Sequence, residues 1–342
     1  YWTAAARAVA AEPLYRSEDG HFQFKYLPAF AVAAAPLSAL PLPLAKATWL
    51  GLSIALLVTL LALSLRLLTD RRRPTWFLVA VMLVAMGKFF GHELVLGQVN
   101  LLLGAIVAAA VHLLSSRHQI AAGLLFGLAV IVKPYAVIFF PWLAAIRSGR
   151  ALLAGAAAVL AALALPATVY GMSGAWSLHV DWWQTVSAST APNLLNADNV
   201  SLAAMYAKWM GPGRAAALLA LATACVLLAA AAGVVLLRTR VAAPDGLEAA
   251  MLLTLIPLLS PQGWDYVFLA STPAVMYLVN YERGLAGPLR LITIAALALV
   301  AFSLYDVMGR RAYGMFMALS IITVCYLVIV AALVALRVRR VA

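Results

Sequence analysis

A lysine stands at the end of the apolar run GLLFGLAVIV and is followed at once by a proline, Lys133-Pro134. Burying a cation at the bilayer centre costs roughly 3 kcal/mol or more, so it must face a partner or a cavity, or else snorkel to the headgroups. Beside a helix-opening proline, Lys133 suits a lipid-borne phosphate near the membrane boundary. Gln98 and Asn100, in LGQVNLLLG, place two amides at the mouth of another apolar stretch. Amides both donate and accept, as sugar hydroxyls require, although they also cap and cross-link membrane helices. Trp264 and Asp265, in LLSPQGWDYVF, set an aromatic face beside a carboxylate. That pairing can hold a sugar ring, and Asp265 is a candidate catalytic carboxylate. The competing reading is an interfacial tryptophan with a solvated aspartate. Asn199 and Ser201 form a further polar pair. Asp181 with Trp182-Trp183 fits an interfacial helix better than a binding site, and Glu18-Asp19 reads as a solvated turn.

The elements that must position these groups are membrane helices. Of 342 residues, 65% are apolar and 11% charged, with mean hydropathy +0.99. A soluble domain carries roughly 45–50% apolar and about 25% charged residues, so a soluble enzyme, a disordered chain and a disulfide scaffold are all excluded. Cys225 and Cys325 lie inside apolar runs and read as packing residues. No zinc spacing, nucleophile–His–acid triad, Walker loop or HExxH occurs, so neither a metal nor a cofactor is expected. The Gly-containing runs read as helix-packing positions. The net charge of +12 points to the positive-inside rule rather than to nucleic acid.

Apolar stretches separated by charge predict an all-α polytopic protein with about eleven spans. They run at 47–69, 75–90, 97–115, 119–133, 135–147, 151–170, 214–237, 246–259, 264–281, 288–306 and 312–336. The Pro-rich segment 28–45 is expected to be a bent or re-entrant element. Residues 1–27 and 171–213 then form two outer loops of a single membrane domain, between and around helix groups at 47–170 and 214–342. Alternate loops from Arg66 to Arg340 collect fourteen arginines against Asp70, Asp245, Glu248 and Glu282, so that face is expected to be cytoplasmic. The His92-Glu93 turn, Gln98, Asn100, Lys133, Asn199, Ser201, Trp264 and Asp265 all fall on the other face. The chain opens at Tyr1-Trp2 in a polar stretch, which suggests a preceding span.

Short motifs in order along residues 1–280 carry a resemblance. They are YWTAAARAVAAEPLY, FKYLPAFAVAAAPLSALPLP, GQVNLLLGAIVAAAVHLL, AAGLLFGLAVIVKPYAVIFF, NVSLAAMY and LLSPQGWDYVFLASTPAV. Together the chain resembles the polyprenyl-phosphate-mannose-dependent mannosyltransferases of the GT-C class, glycosyltransferase family 87. The resemblance implies a GT-C-like bundle in the inner (plasma) membrane with its site facing the periplasm or cell exterior. It implies transfer of mannose, with inversion, from a polyprenyl-phosphate donor to a glycolipid or glycan acceptor, among membrane lipids. It also implies a catalytic Asp a few residues ahead of a Tyr-aromatic pair; Tyr1-Trp2 match the pair, so that Asp would precede Tyr1. Tyr1, Tyr26, Gln98, Asn100, Lys133, Asn199, Ser201 and Trp264 become the expected substrate-binding residues. In many relatives a histidine follows the SPxxW motif; here Asp265-Tyr266-Val267 follow it. A transporter or flippase of lipid-linked sugars is the alternative, but it should show related halves, and no internal repeat is evident.

Overall fold

The computed structural model describes residues 1–341. Among the described residues the regular structure is helical, and β-type pairing is confined to one antiparallel bridge, Asn199 with Trp264. Three helices are long and apolar enough to cross a membrane: Leu42–Arg66, Arg214–Leu236 and Ile321–Val338. Three further pairs pass the same test but are sharply bent. Thr75–Ala85 meets Gly87–Leu96 at 63°, Gly149–Ala164 meets Ala167–Thr190 at 88°, and Gly287–Ala301 meets Tyr305–Ala318 at 107°.

Three to six candidate spans therefore stand where eleven were expected. The reason is length. Helix Asp245–Leu259, buried from Gly246 to Leu258, has fifteen residues, short of the ~20 that a span needs. The stretch expected at 264–281 is a 3-10 segment, Asp265–Ser271, running into a ten-residue helix, Thr272–Tyr281. Helices Asn100–Ser115 and Gln119–Val132 fall short of the length set by a ~30 Å hydrocarbon core.

The Pro-rich element is bent, as two short helices, Pro28–Ala33 and Ala35–Ser38. Neither is long enough to cross. The last residues of the 28–45 segment enter the long helix Leu42–Arg66, of which Pro41 is the N-cap. Pro43 fits that helix's first turn, where a missing N–H costs nothing.

Two ends of the bundle differ in charge. At one end Glu282 pairs with both Arg73 and Arg290, Arg238 pairs with Asp245 at 2.6 Å, and the buried Arg337 reaches Glu248 at 3.0 Å. Tyr277 Oη donates to the Leu67 carbonyl at 2.7 Å, closing the 67–73 turn onto helix 272–281. These residues belong to the loops that the charge pattern had grouped together. The polar residues of the opposite group gather at the other end, described below.

Small residues set the tightest helix contact. A Cβ on Gly123 would lie 2.2 Å from the Ala151 carbonyl, and one on Gly127 would lie 2.7 Å from the Gly155 carbonyl. Helices 119–132 and 149–164 thus meet backbone to backbone through facing small-x-x-x-small motifs. Gly123→Val is expected to destabilise the protein by about 1–3 kcal/mol. A lowered midpoint of thermal unfolding in detergent would register this; an unchanged midpoint would remove the contact from the fold's supports.

Candidate active site

The N-terminal helix Trp2–Val9 delivers Tyr1 to the site. Trp2 Nε1 donates to the Leu40 carbonyl at 2.9 Å, and the Arg7 guanidinium clamps both carboxylate oxygens of Asp19, one at 2.7 Å. Glu18-Asp19 is therefore not merely a solvated turn: Asp19 anchors this helix. The Tyr1 ring lies 5.0 Å from Trp49 and 5.3 Å from Tyr26, centroid to centroid. The Tyr1 hydroxyl stands 3.1 Å from the Tyr26 hydroxyl, and both donate to Gln98 Oε1, at 3.5 and 3.0 Å. Burial holds both hydroxyls protonated, well above the ordinary tyrosine range. Gln98 itself is set by Gly97, whose φ of +61° ends helix 87–96 and whose carbonyl accepts from Trp49 Nε1 at 2.9 Å.

Lys133 joins this cluster. Pro134 forces the residue before it out of the helical region, and Lys133 is extended at φ −145°, ψ 112°, ending helix 119–132. Its ammonium sits 5.7 Å from the centre of the Tyr26 ring, within cation–π range. Among the described residues no carboxylate stands within ion-pair distance of it, and Glu93 reaches it electrostatically. Glu93 is fully buried and is held at the start of helix 100–115. It accepts from the backbone N–H of Asn100, from Asn100 Nδ2 at 2.7 Å and from Leu101 N at 3.0 Å, as a carboxylate at a helix N-terminus should.

A second ionic cluster adjoins the first. Lys88 Nζ lies 3.3 Å from Asp265 Oδ2, and His92 Nδ1 lies 3.4 Å from Asp265 Oδ1. Lys88 and His92 are four residues apart, so one face of helix 87–96 presents both. The Lys88 and Asp265 side chains are 3% and 1% exposed. Lys88 also stands 3.4 Å from Ser303 Oγ and 5.0 Å from the centre of the Tyr313 ring. Asp198, half-buried, completes the group; burial and then Asp265 raise its pKa. Tyr266 lies between the clusters, within electrostatic reach of Tyr26 and Glu93 on one side and Asp265 and Asp198 on the other.

The turn that carries Trp264 and Asp265 is fastened to the 196–201 loop. Val200 N donates to the Gly263 carbonyl at 2.7 Å, and Asp265 N to the Asp198 carbonyl at 3.1 Å. A side chain at 263 would put its Cβ 2.0 Å from the Pro257 carbonyl, so glycine is needed for this approach. Lys208 Nζ donates to the carbonyls of Ala197 and Asn199 at 2.9 and 2.8 Å, and burial brings its pKa down to about 8.

Of the expected residues, Tyr1, Tyr26, Gln98 and Lys133 come together directly, and Trp264 and Asp265 flank them through Tyr266. Asn100, Asn199 and Ser201 lie at the same end but are turned inward. Asn100 is committed to Glu93. Asn199 Nδ2 donates to the carbonyls of Asn193 and Pro261, both at 3.0 Å, and Ser201 caps helix Leu202–Met210. Sequence reasoning missed Lys88 and Asp198. The rule that singled out Lys133, a lone cation in an apolar run, also applies to Lys88 in MLVAMGKFFG. A histidine does stand beside the SPQGW turn, but helix 87–96 supplies it as His92.

The Arg7–Asp19 clamp makes the position of Tyr1 pH-dependent. Arg7's hydrogen bond holds the Asp19 carboxyl below its ordinary 3.8, so its contribution is complete above about pH 4 and is lost as pH falls through the lowered value. Amide exchange over residues 2–9 is expected to accelerate below pH 4 after correction for intrinsic rates, and to be fast already at pH 7 in Asp19→Asn. Equal protection in the two proteins at pH 7 would contradict this.

The family model of glycosyltransferase family 87 matches residues 24–261, more than half of the chain. No curated protein and no solved structure matches.

Proposed function

The chain belongs to glycosyltransferase family 87, and we propose that it transfers a sugar, mannose, from a polyprenyl-phosphate carrier to a glycolipid or glycan acceptor. The site faces the periplasm or cell exterior and the protein resides in the inner (plasma) membrane, with the arginine-rich end of the bundle cytoplasmic, as the positive-inside rule favours. The observation that carries this reading is the convergence of the Tyr1–Tyr26–Gln98–Lys133 cluster with the Lys88–Asp265–His92 cluster at the end away from the arginines.

The chemistry follows from the groups present. An acceptor oxygen attacks the anomeric carbon and gives its proton to a carboxylate, while the carbon–phosphate oxygen bond breaks and its electron pair leaves with the lipid phosphate. A single displacement inverts the centre. Lys133, a cation with no ion pair among the described residues, takes up the charge of the departing phosphate. Gln98 and the two tyrosine hydroxyls hold the sugar. Tyr1, the residue the resemblance sets beside the base, is held in the site by Tyr26 and Gln98; among the described residues Asp265, backed by His92, is the carboxylate we assign to that role, with Asp198 next to it.

The test supplies the purified full-length gene product with polyprenyl-phosphate mannose and candidate glycolipid acceptors. Acceptor-dependent release of polyprenyl phosphate is the expected result. Translocation of intact lipid-linked sugar across proteoliposomes, with no release, would replace this reading with a flippase.

A further inference from the structure

On the flank of the bundle, helices 75–85, 272–281 and 287–301 leave a groove of about 660 Å³ between them, within the ~300–1,000 Å³ range of ligand sites. Its floor is cut by small side chains, Ala80 and Ala298, and its walls are large ones, among them Trp76 and Phe302, which are 72% and 60% exposed. The groove is apolar except at one mouth, where Arg73, Glu282 and Arg290 stand. Helix 287–301 is about 22 Å long at 1.5 Å per residue. The residues that line the groove on this side run from Arg290 to Phe302, about 18 Å at that rise, close to one leaflet's ~15 Å share of the hydrocarbon core.

The charge at the mouth is unbalanced. The single carboxylate of Glu282 is shared by Arg73, Arg290 and, at 3.7 Å, Arg283. Three guanidiniums against one carboxylate leave a surplus of two positive charges. The Arg290 side chain is 43% exposed and that of Arg73 is 27% exposed, so N–H donors remain turned outward. A guanidinium fork matches a phosphate's geometry. An apolar trough one leaflet deep, opening on a cationic mouth, has the shape and charge of one phospholipid site.

We propose that this groove binds an anionic phospholipid, with an acyl chain along Ala80 and Ala298 and the phosphate on Arg73 and Arg290. The site lies at the arginine-rich end, apart from the candidate active site, and does not depend on the glycosyl-transfer reading. The test places the full-length protein in nanodiscs of phosphatidylglycerol or phosphatidylcholine with matched chains. It reads retained lipid by native mass spectrometry and the midpoint of thermal unfolding. Wild type is expected to retain phosphatidylglycerol and to unfold several degrees higher in it than in phosphatidylcholine. Arg290→Gln should weaken retention about tenfold, and Ala298→Trp, which fills the trough and leaves the ion pairs alone, should abolish it. Equal retention of the two lipids, unchanged binding in Ala298→Trp, or displacement of phosphatidylglycerol by polyprenyl phosphate would each overturn the assignment.

Discussion

Lys88→Met is expected to destabilise the protein by about 3 kcal/mol, because it takes the ammonium from the buried Asp265 and leaves His92, at 3.4 Å, as the remaining charge partner. The two side chains stand 3.3 Å apart and are almost wholly enclosed, so neither can recover its hydration by turning outward. Replacing both, as Lys88→Met with Asp265→Leu, should restore most of the lost stability, since well-packed apolar residues are often as stable as a buried ion pair. The double variant separates structure from chemistry. If the pair only holds helix 87–96 against the SPQGW turn, a refolded double variant transfers sugar normally. If Asp265 works with His92 on the substrate, the double variant folds and transfers at less than a hundredth of the wild-type rate. Thermal unfolding and polyprenyl phosphate release, measured on the same preparations, give the two readouts.

Lys133→Gln carries the second large effect. A cation placed where charge develops in the transition state supplies about 3–4 kcal/mol, so kcat should fall by two to three orders of magnitude. The fold should be spared, because among the described residues Lys133 leaves no ion pair behind; its nearby partner is the Tyr26 ring. KM for the lipid donor should change much less than kcat, as expected when an interaction is made mainly in the transition state. An unchanged kcat would remove Lys133 from the reaction and leave it as a lysine packed on an aromatic ring.

Much of this site was legible from residue type alone. Lys133, Gln98 and Trp264 break an apolar pattern, and a polar group in a membrane run has a stated cost that something must offset. The grouping of arginines by alternate loops was equally legible, and Arg73, Glu282 and Arg290 do meet across more than two hundred residues of chain. Lys88 with Asp265 was not, because the value of that pair lies in a contact between positions 177 residues apart, which no local pattern records. Asn100, Asn199 and Ser201 were read as open amides and hydroxyls, yet a sequence does not say whether an amide faces a cavity or its own backbone. The count of eleven spans is not reproduced for another reason: composition marks a run as apolar without fixing the length of its helix, and helix 245–259 is only fifteen residues long.

Photo-crosslinking locates the sugar on the protein: a polyprenyl-phosphate sugar carrying a photoreactive group on the sugar is bound to the full-length protein, and the labelled peptides are mapped. Crosslinks are expected on the segments holding Tyr26, Gln98, Lys133 and Trp264, competed by unmodified donor. Crosslinks confined to the arginine-rich end around Arg73 and Glu282, or scattered along the bundle without competition, would contradict this placement of the sugar.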